Sequence, residues 1–204
     1  MLASSSSGAA LVPKDFSVLG DGQLTLDTST QLEWLDLSYT DGVSFEAVQS
    51  GWADLTTSKG FRYATGIEID RLFRNAGLTI SSDFLVTNYA PAIALHSLLG
   101  STASGSNYQL TSGYYALGPM HQTSTGWHYS LLSYWLVSTS RGDATVGPIT
   151  LACIMVDCYS VGSPDYGSFL VRQNTPPIPE PATTALLGLG IAFLLPFLRR
   201  RGEY

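Results

Sequence analysis

The chain has 204 residues, a formal net charge of −6 and 45% hydrophobic but only 13% charged residues. That length holds one domain with a core of its own. Sixteen Asp and Glu stand against ten Lys and Arg, and the basic cluster is confined to Arg199, Arg200 and Arg201, so the rest of the surface repels phosphate backbones and argues against a nucleic-acid partner.

An exported chain is expected to begin with a basic segment and then an apolar run of about 7 to 15 residues. Met1 to Ala10 carry neither. Residues 1–14 read as the remnant of a signal region or as a disordered leader, the small residues up to Ala10 resembling a cleavage region. Residues 15–173 read as one α+β domain. Asp21-Gly22 predicts a hairpin turn between extended runs at 16–19 and 24–26, and a further strand follows at 32–35. Ser44 caps a short helix through Phe45, Ala47 and Val48, with Glu46 at its positive end. Thr65 and Glu68 form a capping box, Ile69, Leu72, Phe73 and Ala76 make one apolar stripe, and Gly77 stops the helix. A third helix is expected over 91–99, opened by Pro91 and closed by Gly100.

Beyond it the pattern is that of strands, at 108–117, 127–137, 149–156 and 168–172, whose Gly-rich connections predict antiparallel pairing. The expected fold is therefore two or three short helices packed on a mainly antiparallel sheet. Residues 174–181, with Pro176, Pro177, Pro179 and Pro181, form a stiff extended linker. Residues 182–198 are an uncharged run of 17, roughly 25 Å of helix and at the short end of a membrane span. Pro196 kinks or frays its last turn. The tail 199–204, with its three arginines, is expected on the cytoplasmic side.

Pro179-Glu180-Pro181, the helix holding Gly188 and Gly190, and the cluster Arg199, Arg200 and Arg201 stand in an order that resembles the PEP-CTERM sorting signal of Gram-negative bacteria. The resemblance implies export, parking in the inner membrane by the tail, cleavage near the tripeptide by an exosortase, and release to the envelope or exterior. A second resemblance lies in Leu26-Asp27-Thr28 with Gln31-Leu32-Glu33-Trp34, Ser44-Phe45-Glu46-Ala47, Gly60-Phe61-Arg62-Tyr63-Ala64-Thr65 and Gly167-Ser168-Phe169-Leu170-Val171-Arg172. It is similar to the Lcl C-terminal domain family, which implies a C-type-lectin-like fold. Its members usually have Trp and then Arg-Leu-Pro where this chain has Phe61, Arg62, Tyr63 and Ala64.

Trp34 and Phe61 are expected to fill the junction of helices and sheet, and Arg62 and Arg172 to pair with Asp36 or Glu68. No Gly-x-Ser-x-Gly elbow, His-Glu-x-x-His or EF-hand loop occurs, and Gly20-Asp21-Gly22 lacks the rest of a dinucleotide fingerprint. No catalytic residue is expected and no enzyme. His96 is placed on the outer face of its helix, and His121 and His128, seven apart without a neighbouring carboxylate or cysteine, make a poor metal signal.

Cys153 and Cys158 could bridge in an oxidising compartment, yet on an extended strand they would lie about 16 Å apart and on opposite faces. A tight turn would be needed, and a buried thiol at Cys153 is the competing reading. The rings of Tyr108, Tyr114, Tyr115, Trp127, Tyr129, Tyr134 and Trp135 read mostly as core, with a sugar-stacking face as the alternative. Calcium held by Asp143, Asp157 or Asp165 is a candidate by residue type alone.

The function read here is a non-enzymatic envelope or extracellular module, associated with extracellular polysaccharide. A calcium-assisted carbohydrate binder and a cryptic hydrolase are the alternatives. Replacing Arg199, Arg200 and Arg201 with neutral residues is expected to weaken retention of the precursor in the membrane fraction. Unchanged fractionation would contradict the topology.

Overall fold

The computed structural model describes residues 10–116, 130–151 and 165–174. These residues form two sheets with helices packed against them, which matches the α+β expectation. The first sheet has strand order β1 (Leu11–Lys14), β2 (Leu24–Asp27), β3 (Leu32–Leu35), β11 (Leu170–Gln173) and β4 (Arg62–Tyr63), every pair antiparallel. The second runs β10 (Gly167–Ser168), β7 (Tyr108–Tyr115), β8 (Ser130–Ser138), β9 (Asp143–Leu151) and β5 (Ser81–Leu85), with β6 (Ala103–Gly105) also on β7. All its pairs are antiparallel except β10 on β7.

The helices begin where the caps predict. Ser44 accepts a hydrogen bond from the Ala47 amide to open α1 (Phe45–Gln49), and both halves of the Thr65–Glu68 box open α2 (Gly66–Asn75). Gly77, at φ +84°, ends the helical turn. Helix α3 spans Tyr89–Leu99 and starts two residues before Pro91. Pro91 falls within its first turn, where the missing amide costs no helical bond. Among the described residues no helix is long and apolar enough to cross a membrane, and the expected span 182–198 lies outside them.

The alternation of strand residues sorts the core into two. Trp34 and Val171 on one face of the first sheet join Ile69, Leu72 and Phe73 of α2, Leu95 and Leu99 of α3, and Trp135, Val137, Ala144 and Val146 of the second sheet. Leu24, Leu35 and Leu170 on the opposite face join Phe45, Val48, Leu55 and Phe61 around α1. Trp34 and Phe61 are core residues, as expected, but they lie on opposite sides of the first sheet.

The closing strand expected over 168–172 is two strands. β10 lies beside β7 in the second sheet, Phe169 forms the crossing, and β11 enters the first sheet between β3 and β4. The Phe169 amide donates to the Tyr114 carbonyl at 2.8 Å, and its carbonyl accepts from the Ala64 amide at 2.8 Å, so both backbone groups are used at the switch. Its ring is fully buried and meets Trp34 at 6.4 Å, Phe73 at 6.4 Å and Trp135 at 6.3 Å between centroids. Gly167 is required beside it because a Cβ there would fall on the Leu37 carbonyl.

Two further expectations are corrected. Strand β2 pairs with Leu11–Lys14 and not with residues 16–19, so the domain begins inside the segment assigned to the leader. The Asp21 carboxylate takes amide hydrogens from Phe16, Ser17 and Val18, each at 2.8 Å, and from Gln23 at 3.2 Å. A side chain that satisfies those amides holds 16–18 in a loop instead of a ladder. The Phe16 amide bond is the largest influence on Asp21; desolvation alone would raise the pKa, but the four amides together hold the carboxyl well below the aspartate range.

His96 is the second correction: it is 7% exposed and inward-facing, 5.3 Å from the Trp135 ring. The Thr111 hydroxyl donates to the Gly100 carbonyl at 2.7 Å and so accepts from His96 Nδ1 at 2.7 Å. Nε2 is buried without a partner among the described residues. Burial pushes its pKa down to about 4 from the usual 6.5. The unfolded chain therefore binds this proton more readily, and folding stability is lost as pH falls from 6.5 towards 4.

Phe169→Ala is expected to cost about 3–5 kcal/mol by opening a cavity where the two sheets meet, checked by denaturant unfolding. Between pH 6.5 and 4 the wild type should lose on the order of 3 kcal/mol more stability than His96→Asn, which keeps a donor to Thr111 without the titration. Parallel stability–pH curves for the two proteins would refute this.

Candidate functional site

Charged and aromatic side chains converge on the face of the first sheet opposite α2 and α3. Period-two alternation puts Lys14, Glu33 and Arg172, from three strands, on that face. Glu33 is only 4% exposed and is bound on one side by Lys14 Nζ and on the other by Arg172 Nε at 2.7 Å. Burial would raise its pKa, but the hydrogen bonds and charges of Lys14 and Arg172 outweigh it and hold the carboxyl below the glutamate range. Arg172 was expected to pair with Asp36 or Glu68. Register decides otherwise, because Arg172 lies directly opposite Glu33.

The Arg172 guanidinium covers the Phe61 ring at 4.6 Å and approaches Phe16 at 5.7 Å. A row of edge-to-face rings runs on from there. Phe61 meets Phe16 at 5.6 Å, Phe16 meets Tyr39 at 5.4 Å, and Tyr39 meets Trp52 at 5.9 Å. Trp52 is 38% exposed. Lys59 holds its ammonium 5.1 Å above Phe16 and donates to the Ala53 carbonyl at 2.9 Å.

The loop that carries Trp52 is strained. Gly51 has φ +101°, which glycine adopts freely, but Ala53 and Asp54 follow at φ +52° and +60°. Left-handed backbone at such residues costs on the order of 1–3 kcal/mol each and persists only where the surroundings impose it. Here Leu55 is fully buried, the Ser58 and Lys59 amides donate to the Asp54 carbonyl at 3.1 and 3.0 Å, and the Lys59 ammonium holds the Ala53 carbonyl. The sequence reading did not single out this row. Trp52, Tyr39 and Phe16 sit in three different turns, and only the fold gathers them.

Other ionisable groups are tied into the architecture. Arg62 pairs with Glu68, as expected, through NH1 to Oε2 at 2.9 Å and NH2 to Oε1 at 2.6 Å. That bond, ahead of the capping contacts with Thr65, lowers the Glu68 pKa to about 2. Asp27 loses by burial but gains more from Ser29 and Asn75, and lies below its usual range. Asp36 caps the 3-10 turn Leu37–Thr40 through the Ser38 amide, and burial raises its pKa. Burial and then the charge of Asp165 raise that of Asp41.

The two described calcium candidates, Asp143 and Asp165, do not converge. Asp143 binds Arg141 through Oδ2 at 2.8 Å at the turn between β8 and β9, in register with Ser138 and, one strand further, Tyr108. Asp165 lies further along β7, where its carbonyl accepts from the Ser112 hydroxyl at 2.7 Å. Asp157 is outside the described residues. Among those described, no group of three or more His, Cys, Asp or Glu side chains could hold a metal ion. A cleft of about 220 Å³ between β1 and helices α2 and α3, lined by Leu11, Asn75, Ala76, Pro91, Leu95 and Leu98 among others, contains no ionisable group for acid–base work.

Of the middle-third rings, Tyr114, Tyr115 and Trp135 are buried and Tyr108 is 44% exposed. Three of the four described rings are therefore core, and Tyr108 alone among them reaches the surface. Trp127, Tyr129, His121, His128, Cys153 and Cys158 lie outside the described residues, as do Pro179, Glu180, Pro181, Arg199, Arg200 and Arg201, and the Tyr134 side chain is likewise not described.

Comparison with curated proteins and with solved structures finds no match. Comparison with protein families matches residues 177–201 to the PEP-CTERM protein-sorting motif, which spans the tripeptide, the apolar run and the three arginines. The chain thus carries the sorting motif of exosortase-processed proteins of the cell envelope or exterior.

Proposed function

We propose that the processed domain is a non-enzymatic module that associates with extracellular polysaccharide through the face formed by Trp52, Tyr39 and Phe16. The observation that carries this reading is the exposed indole of Trp52 on a strained loop at the end of a packed row of rings. The C–H face of a pyranose buries apolar area on such a ring. A loop already held in one conformation loses little entropy when it binds. Lys59, with its charge against Phe16 and no carboxylate partner among the described residues, adds a donor for hydroxyl or carboxylate groups.

The non-enzymatic part of the proposal rests on what the carboxylates do. Glu33, Glu68, Asp21, Asp27 and Asp143 each satisfy a structural cation or a set of amides. Groups engaged in this way are poor general acids or bases near neutral pH. We retain the lectin-like scaffold as part of the reading, supported by the C-terminal strand lying beside the N-terminal strands with α2 and α3 on their inner face. The inner membrane is the proposed site of the uncleaved precursor, held there by residues 182–198.

Affinity electrophoresis of the processed domain in gels containing the host's extracellular polysaccharide tests the proposal. Trp52→Ala is expected to weaken retardation at least about fivefold, on the scale of a contact hot spot, with an unchanged unfolding midpoint. Equal retardation of the variant and wild type would overturn the assigned face. Binding abolished by EDTA would favour the calcium-assisted reading, and turnover of an ester or glycoside would favour a hydrolase.

A further inference from the structure

Lys14 reaches Asn174 over the face of the first sheet, although β2 and β3 lie between their strands. Its Nζ donates to Asn174 Oδ1 at 3.0 Å, and the same nitrogen is bound to Glu33 Oε1. Since a carbonyl bond is about 1.2 Å long, the amine stands roughly 3–4 Å from the carboxamide carbon, close to the separation of about 3–3.5 Å in a near-attack arrangement.

The carboxamide is held from its other side. Asn174 Nδ2 donates to Gln31 Oε1 at 3.2 Å, and the Asn174 backbone amide donates to the Gln31 carbonyl at 2.9 Å, which leaves Oδ1 turned to the lysine. Gln31 itself sits at φ +58°, a left-handed backbone that persists only where the surroundings impose it. Glu33 is 4% exposed, and its second oxygen accepts from Arg172 Nε at 2.7 Å. An amine, a carboxamide and a buried carboxylate thus meet at one point, the first two 160 positions apart in the chain.

We propose that Lys14 and Asn174 join in an intramolecular isopeptide bond, with Glu33 moving the proton. The Glu33 carboxylate takes one proton from the Lys14 ammonium, and the freed amine attacks Asn174 Cγ to give a tetrahedral intermediate. Both nitrogens are then bonded to one carbon, so the carboxyl returns its proton to the nitrogen that departs. The carboxamide C–N bond breaks, the new bond from Cγ to Lys14 Nζ remains, and the ammonia carries off the extra proton of the attacking nitrogen as ammonium. Atoms and charge balance without an oxidant, a cofactor or a second protein. A carboxylate engaged by two cations is a poor base for repeated turnover. A bond made once per molecule between groups already in contact does not need a fast one. The product ties β1 to the end of β11, on the far side of β2 and β3.

Mass spectrometry of the protein purified from its host tests the proposal. The wild type is expected to weigh one ammonia less than the sequence between its termini, and trypsin should return one branched peptide that joins the segments holding Lys14 and Asn174, uncut after Lys14. Lys14→Arg keeps a cation for Glu33 and should show neither. Glu33→Gln, checked for folding by circular dichroism, should lower the linked fraction at least about a hundredfold at equal times after synthesis, on the scale of general base catalysis. A wild type of full sequence mass with no branched peptide overturns the proposal. So does ammonia lost with Lys14 and Asn174 on separate peptides, the mark of a succinimide at Asn174. Undiminished linkage in folded Glu33→Gln overturns the role given to the carboxylate, and if that variant does not fold, the wild type and Lys14→Arg still decide.

Discussion

Phe169 is the residue at which one extended segment leaves the second sheet and joins the first, and the rest of the domain depends on that crossing. Its amide and carbonyl bind strand β7 and the Ala64 amide just ahead of α2, while its ring packs against those of Trp34, Phe73 and Trp135, one from each of β3, α2 and β8. A backbone cannot pass through an apolar core with unpaired polar groups. Here Tyr63, Thr40 and Ser112 help to satisfy the neighbourhood: Thr40 accepts from the Ser168 amide at 2.8 Å, and the Tyr63 hydroxyl lies 3.1 Å from that of Ser168. The two sheets are held together because one continuous segment supplies a strand to each, β10 to the second and β11 to the first.

The same segment supplies one of the structural cations, Arg172. An acidic chain with few cations uses several of them where acid is buried or needed at a cap. Lys14 and Arg172 converge on Glu33, Arg62 closes the capping box through Glu68, and Arg141 takes Asp143. Breaking a buried pair by removing one partner leaves an uncompensated charge, which is the costly case. The depressed pKa values of Glu33, Asp27 and Glu68 make their contributions present above the ordinary carboxylate range and lost as pH falls through it. Buried His96 acts in the same direction at higher pH, so acid weakens this domain in two stages.

Function divides along the chain. The sorting segment addresses the protein to a processing enzyme at the membrane, and the domain ahead of it presents a ring-lined face with one strained loop. Segment 167–174 connects the two roles, since it both completes the first sheet and ends a few residues before the address begins.

What the sequence by itself determined is what lies within one turn or one contiguous run. The Ser44 cap, the Thr65–Glu68 box and the α2 stripe depend on residues three or four apart, and the sorting motif is an uninterrupted order of prolines, apolar residues and arginines. Pairing over long separations was decided by tertiary structure alone. Arg172 reaches Glu33 across 139 positions, Leu11–Lys14 displaces 16–19 as the partner of β2, and His96 turns inward because Trp135 and Thr111 of the second sheet are there to receive it. Trp52, Tyr39 and Phe16 carry no shared pattern in the chain. They become one surface only because the connections around the first sheet fold back over the same core, a consequence of strand order that local propensity does not encode.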